Sequence, residues 1–297
     1  MNATDKKISI FSLPVIVAAL GYFVDIYDLL LFTIVKKTSM LGVGATEATL
    51  LVDSTRVINW QMTGLLLGGI IWGVLADKKG RLSVLFGSII LYSTANFATG
   101  FVTTVDQYAW ARFIGGLGLA GELGAGITLV SELLPKNKRG IGTSLVAGIG
   151  LFGAVAAYFT YQYTQDWRLC YKIGGVLGIC LLLLRVKVAE SGMFATSKAS
   201  EVIKGNFFML INNGKRFKKY LVAILIGLPT WYVIGILLNQ SDRFGKAMFA
   251  STTIDSGRAI MFGYVGISVG DIVIGLISQY FKSRKKALLL FYGFTLL

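Results

Sequence analysis

The sequence predicts an all-α integral membrane protein, and three observations carry that prediction. Of 297 residues, 55% are hydrophobic and only 15% charged, with a mean hydropathy of +0.69; a soluble domain carries about a quarter charged residues. Apolar stretches long enough to cross a hydrocarbon core, which takes about 20 residues, recur along the whole chain. Between two of them stands GVLADKKGR, Gly73 to Arg81. Its Asp77, Lys78, Lys79 and Arg81 cannot sit in oil, so they form a tight charged turn on one membrane face.

The spans follow in order. The first runs Ile8–Val35, after a polar start and without a small-residue cleavage site, so it is read as retained rather than as a signal peptide. Ile58–Ala76 and Leu82–Val102 flank the charged turn; Tyr108–Leu134, Ile141–Tyr163 and the shorter Ile173–Val188 complete a group of six. Leu221–Leu238 and Ala259–Phe281 are two more, and a ninth begins near Ala287. From there to Leu297 a helix rises only about 16 Å, roughly half a bilayer. The expectation is about 8.5 spans.

Most of the 29 basic residues fall between spans on a single side when the amino terminus is placed inside, giving a cytoplasmic amino terminus; the plasma (inner) membrane is the expected location. Eight of them lie between Arg185 and Lys219, in the one long polar connection. That connection divides the chain into a six-span bundle, 1–188, a cytoplasmic linker, 189–220, and a partial second bundle, 221–297. An internal echo supports the division: Gly64, Gly69 and Gly73 lead into the first basic turn, and Gly266, Asp271 and Gly275 lead into a second at Lys282 to Lys286, with Gln279 standing where the first copy has Asp77.

The net charge of +14 is punctuation between apolar runs rather than a basic face with interleaved aromatics, which speaks against nucleic acid. The absence of any His removes His-based triads, zinc sites and imidazole relays. Cys170 and Cys180 have no metal-like spacing and read as apolar fillers. With no cluster of nucleophile, base or metal ligand, no enzyme, no metal and no cofactor is expected.

Ionisable groups inside spans are expensive and are default functional candidates. Asp25 and Asp28 are three residues apart and share one face of the first span, with Tyr27 turned away. Two acids in low dielectric repel, so at least one binds a proton reversibly, which a proton-coupling group must do; the other reading of Asp28 is a solvated vestibule. Arg112, near the outer end of the fourth span, is suited to a substrate carboxylate or to an acidic side chain of a neighbouring helix. Glu122, near mid-depth, is a proton or substrate site or half of a structural pair, and Asp271 is its counterpart in the second group. Asn59, Gln61, Trp231 and Tyr232 are weaker candidates for cavity lining, the last two equally for interfacial packing. Gly116 to Gly121 spells a nucleotide-binding string but lacks the strand that string requires. These glycines, with Gly148, Gly150 and Gly153, instead let helices approach closely.

The string G-x-L-A-D-x-x-G-R resembles the loop between the second and third helices of major facilitator superfamily transporters. GYFVDIYDLLLF, RFIGGLGLAGELGAGITLVSELLPKNKRG and VAESGMF are similar to the first span, fourth span and post-sixth-span run of its metabolite:proton symporter branch, with Gly192 in place of a proline. The resemblance implies the major facilitator fold, with a complete amino-terminal bundle and part of the second. It implies twelve spans in a whole carrier, so the sequence is expected to be a truncated or incomplete one. It also implies a conformational latch: Asp77 at a helix end, Arg81, Glu132 and Arg139 in a charge network, and Gly73 and Gly80 allowing close packing and the sharp turn. The expected function is proton-coupled symport of a small polar metabolite, such as an organic acid, by a monomer using alternating access. If all the cavity acids are ionised a cationic or zwitterionic substrate is favoured, and if two are protonated Arg112 receives an anion. The alternatives are a non-transporting membrane receptor or assembly partner, or an inactive truncated carrier.

Overall fold

A computed structural model describes residues 12–134, 139–190, 205, 207–249 and 251–294, without the side chains of 81–82, 123–129, 131–133, 187–190, 207 and 210. The described residues are mostly helical, joined by short turns, with no strand among them. The helices are α1 (Leu13–Gly42), α2 (Leu50–Lys79), α3 (Arg81–Thr99), α4 (Val105–Leu133), α5 (Arg139–Thr164), α6 (Trp167–Glu190), α7 (Gly214–Tyr232), α8 (Ser241–Ala247), α9 (Ser256–Tyr280) and α10 (Arg284–Phe294). Six helical segments among the described residues are long and apolar enough to cross a membrane: α1, α2, α5, α6 as far as Val186, α7 with its continuation to Leu238, and α9. α3 and α4 run 19 and 29 residues, long enough at 1.5 Å per residue to cross a hydrocarbon core of about 30 Å.

Local chemistry sets the helix ends. Pro14 opens α1, where a missing N–H costs nothing. Thr104, Asn213 and Asp255 accept hydrogen bonds from first-turn N–H groups of α4, α7 and α9, each satisfying donors that a helix start leaves free. Gly80 joins α2 to α3 at φ +89°, a conformation open to glycine and strained for other residues. After Pro229, α7 passes into a π-helical segment, Val233–Leu238, a wider coil that frees backbone groups for other partners. The α2–α3 turn, the start of α7 and the end of α9 share one face of the bundle, here the hairpin face; the ends of α1 and α7 and the start of α9 lie at the opposite, far face.

α1 is the central pillar, packed against α4, α5 and α6, while α2 and α3 pack on α4, and α5 joins the first group of helices to α9. Glycine makes the tightest seam. A methyl group on Gly64 of α2 would overlap the Phe113 carbonyl and stand 3.0 Å from Leu117 N; one on Gly116 of α4 would overlap the Gln61 carbonyl and stand 3.2 Å from Leu65 N. The close approach expected of the glycine string is therefore present between α2 and α4. Gly73 differs from its expected part in close packing: a methyl there would meet nothing within 4 Å.

Several helices outrun their predicted spans. α1 begins at Leu13 and continues seven residues past Val35, taking Lys36 and Lys37 onto the helix; Ile8–Phe11 lie outside the described residues. α2 starts at Leu50 rather than Ile58. α7 begins at Gly214, inside the stretch read as linker, and α8 is a short helix that hydropathy does not mark. Hydropathy stops at the first charge, but backbone hydrogen bonding continues wherever water or a partner satisfies that charge.

Candidate functional site

The α1 carboxyls lie where α1 passes α3, α4 and α6. Asp25 is 4% and Asp28 0% exposed, and none of their four oxygens has a hydrogen-bond partner among the described residues. Tyr27, on the other side of α1, donates to the Cys170 carbonyl at 3.1 Å.

Arg112 of α4 is fully buried. Its Nη1 donates to Asn96 Oδ1 at 2.6 Å, its Nη2 to the Asp28 carbonyl oxygen at 3.0 Å and its Nε to Gln61 Oε1 at 3.4 Å. The guanidinium also lies over the Tyr171 ring, 5.2 Å from its centroid. All of these acceptors are neutral, so the cation is held without a carboxylate closing on its fork. Gln61 in turn donates to the Leu29 carbonyl at 3.1 Å and lines a cavity of about 860 Å³ bounded by α1, α2, α7 and its π-helical continuation. Thr33, Met62, Trp231 and Asn239 are also on its wall. Arg112 thus stands one side chain behind the cavity surface.

Glu122 is held by Arg185 of α6 through both carboxylate oxygens, Arg185 Nη1 to Oε2 at 2.6 Å and Nη2 to Oε1. Both residues are buried, at 2% and 5% exposure. This corrects the reading of Arg185 as the first basic residue of a linker: it lies in the helix interface, closing a two-pronged ion pair. Asp271 is half-buried on α9 and does not join this cluster; Tyr22 is within electrostatic reach of both it and Asp25. Asn59 is exposed and is not on the cavity wall, whereas Gln61, Trp231 and Tyr232 divide: Gln61 and Trp231 line the cavity and Tyr232 is 54% exposed.

The far-face end of the cavity is bolted. The Lys36 ammonium donates to the Asn239 carbonyl at 2.8 Å and stands 3.5 Å from Asp242 Oδ1. Asn239 Nδ2 donates to Thr33 Oγ1 at 3.3 Å, and Ser256 Oγ donates to Asp242 at 2.7 Å. Burial pushes the Asp242 carboxyl up, but the Ser256 hydroxyl, Lys36 and Arg243 outweigh it and hold the group below the usual carboxylate range. Sequence reasoning missed Lys36, Asn239 and Arg185. The available signal was helical phase: Lys36 lies eleven residues after Asp25, three turns along the same face.

Toward the hairpin face the wall continues through Leu66 into a second cavity of about 650 Å³, reaching Gly73, Asp77, Arg216 and Tyr220. Asp77 and Gly80 are exposed there. Arg139 Nε donates to the Leu134 carbonyl at 2.9 Å. The side chains of Arg81 and Glu132, expected in the latch, lie outside the described residues, as do residues 191–194 of the VAESGMF run and the side chains of 188–190.

Apolar spanning helices around a sealed polar core, with a cavity at mid-depth, define a multi-pass integral membrane protein of carrier build. The chain belongs to the Major Facilitator Superfamily, whose family model matches residues 2–297, a family of carriers rather than enzymes. It is 25% identical over 279 residues to the sialic acid transporter NanX of Escherichia coli strain K12, covering 89% of this chain and 67% of NanX. It is 32% identical over 179 residues to the niacin transporter NiaP of Acinetobacter baylyi, covering 59% of this chain and 40% of NiaP. Among solved structures, a double-tryptophan mutant of XylE, the xylose transporter of E. coli, superimposes with a TM-score of 0.60 at 17% identity over 92% of this chain and 67% of XylE.

Proposed function

We propose that the chain carries a proton-coupled symporter of alternating-access type for a small polar metabolite, an organic acid. It works as a monomer in the plasma (inner) membrane with its amino terminus cytoplasmic. The six-span unit 1–188 and the partial unit from 221 onward move about the cavity, with 189–220 as the connection and Gly73, Asp77, Gly80, Arg81, Glu132 and Arg139 as the hairpin-face latch. One observation carries the reading: Asp25 and Asp28 are buried and none of their four carboxylate oxygens closes a hydrogen bond of normal geometry, although Tyr92 faces Asp25 and Asn96 and Arg112 face Asp28. A buried acid without a partner is tolerated in neutral form, so these groups are suited to taking and releasing a proton as access changes. Arg112 supplies the reason for an anionic substrate: its fork already addresses only neutral oxygens, and a movement of the Gln61 amide would present it to the cavity. The relatives named above are called transporters of sialic acid and niacin, both carboxylic acids.

The test is uptake by the full chain in proteoliposomes, with sialate, nicotinate and 4-hydroxybenzoate as labelled probes. An acid exterior is expected to drive accumulation that a protonophore collapses. Uptake indifferent to the pH gradient removes the symport reading; failure to move or bind any of the three removes the organic-acid reading.

A further inference from the structure

The two buried acids of α1 have different surroundings. Asp28 has the Arg112 guanidinium beside it, in the network that leads through Gln61 to the cavity. Asp25 faces the closed Glu122–Arg185 pair. A methyl group on Gly21, one helical turn before Asp25 on the same face, would overlap both the Arg185 guanidinium and the Glu122 carboxylate, so the pair lies flush on the α1 backbone. The titratable and charged groups facing Asp25 are Glu122 of α4, Arg185 of α6, Tyr92 of α3 and, on its own helix, Asp28 and Tyr22. Tyr92 is fully buried, and its hydroxyl, turned to this site, has no hydrogen-bond partner among the described residues. None of Asp25, Tyr92, Glu122 and Arg185 is on the cavity wall.

The charge count of that site is decisive. It holds two carboxyls and a single guanidinium, in surroundings where a net charge is costly. One proton makes it neutral. We propose that Asp25, Glu122 and Arg185 form a one-proton triad with Arg185 as shared counter-ion, sealed from the cavity, so that the proton and the organic substrate of the symport reading occupy separate sites. The proton resides on whichever carboxyl the guanidinium does not grip; in this structure Arg185 grips Glu122, which leaves the proton to Asp25. Arg185 is a positioning residue: it touches neither substrate nor cavity, and acts by deciding which acid is free. Calling the proton a coupling proton rests on the symport reading, whereas its presence in the triad does not.

Infrared spectroscopy of the purified full chain at neutral pH separates the two. The absorbance of protonated carboxyls is expected to fall by one acid's worth in Asp25→Asn. It is expected to fall equally in Glu122→Gln, although that substitution removes the acid that is ionised in the unaltered protein, because the freed guanidinium then takes Asp25. Arg185→Gln is expected to raise the absorbance by one acid's worth. Melting in detergent gives a second readout. Asp25→Asn combined with Glu122→Gln strands a buried guanidinium and is expected to melt about 10 °C lower, and adding Arg185→Gln is expected to restore most of that loss. An unchanged carboxyl band in Glu122→Gln together with no restoration by Arg185→Gln overturns the triad and leaves the symport reading standing. The expected band changes in a chain that moves none of the three probes keep the triad and remove only its coupling role.

Discussion

α1 and α7 open the two helical groups, and they are built in opposite ways. The most apolar stretch of α1 is 72% buried inside the bundle, and that of α7 only 6%. α1 can therefore hold two carboxyls, because α3, α4, α5 and α6 enclose it and exclude the lipid that would make them intolerable. α7 turns Val222, Leu225 and Ile226 outward, and its α-helical part has no buried residue. Its firm attachment comes at the far face, where Asn239, just past the π-helical segment, meets Thr33 and Lys36 of α1. Among the described residues one helix is enclosed by its neighbours along most of its length, and the other is tied to them chiefly near the far face, at Asn239.

The sharpest way to break that contrast is to thicken one glycine in each helix environment. Gly153 of α5 lies against α1 so closely that a methyl there would overlap the Phe23 carbonyl and approach Tyr27 N to 2.8 Å. Both obstacles are backbone and cannot swing away. Gly153→Leu is expected to cost about 3 kcal/mol or more and to abolish a cooperative melt in detergent. Gly227 of α7 has nothing within 4 Å of its built methyl, and Gly227→Leu is expected to change stability by less than about 0.5 kcal/mol. Equal losses in the two variants would show α7 to be as firmly packed as α1.

The next largest effect concerns the chemistry α1 encloses. Arg112→Met removes the donor that satisfies Asn96 Oδ1, the Asp28 carbonyl and Gln61 at once, and is expected to cost about 2–3 kcal/mol in melting experiments. Arg112→Lys is expected to recover part of the stability through its charge but not organic-acid binding, since an ammonium has no planar fork for a carboxylate.

The difference between the two helices also explains what the sequence discloses. The GVLADKKGR turn, the order of the spans and the tight α2–α4 seam are legible because each follows from chemistry local to a few residues: charges that cannot enter oil, apolar length, glycine spacing. Arg185 and Lys36 are not. Each reads as a basic residue at the end of an apolar run, and basic residues there are ordinarily membrane-edge markers. What makes them internal is a partner distant in sequence: Glu122 for Arg185, and Asn239 with Asp242 for Lys36. The candidates Asp25, Asp28, Arg112 and Glu122 were found by cost alone, a charge inside a span. How they divide into two clusters depends on helix rotation that only the packed bundle supplies.

The far-face bolt sharpens the comparison further. Lys36→Met is expected to cost about 1–2 kcal/mol, since it leaves the Asn239 carbonyl and Asp242 without their cation. The larger consequence is access. A cysteine placed at Thr33, in a background lacking Cys170 and Cys180, is expected to react faster with a membrane-impermeant maleimide from the far side when Lys36 is Met. Acid is expected to act in the same direction. Because Asp242 is held below its ordinary range, its contribution is complete above the unfolded carboxylate value of about 3.9 and is lost as pH falls through the lower folded value. Labelling at each pH, divided by that of a fully exposed reference cysteine so that the thiolate fraction cancels, should be flat from about pH 5 to 8 and should rise only below about pH 4. A rise already near neutral pH would mean that a group other than Asp242 governs opening.

The smallest effect belongs to a pair that resembles the bolt in composition but not in setting. Arg56 of α2 and Asp106 of α4 stand 2.8 Å apart at the far face, closer than Lys36 and Asp242, with 50% and 69% of their side chains exposed. Water and salt screen such a pair and its ordering costs side-chain entropy, so Arg56→Ala is expected to shift stability by about 0.5 kcal/mol or less, and less still at 1 M salt. It is also expected to leave maleimide access at Thr33 unchanged, because both residues belong to helices of the first group and their ion pair joins only α2 to α4. If Arg56→Ala matched Lys36→Met in both melting and labelling, charge near the far face in general, rather than a buried ammonium tying α1 to the end of α7, would be what keeps that side shut.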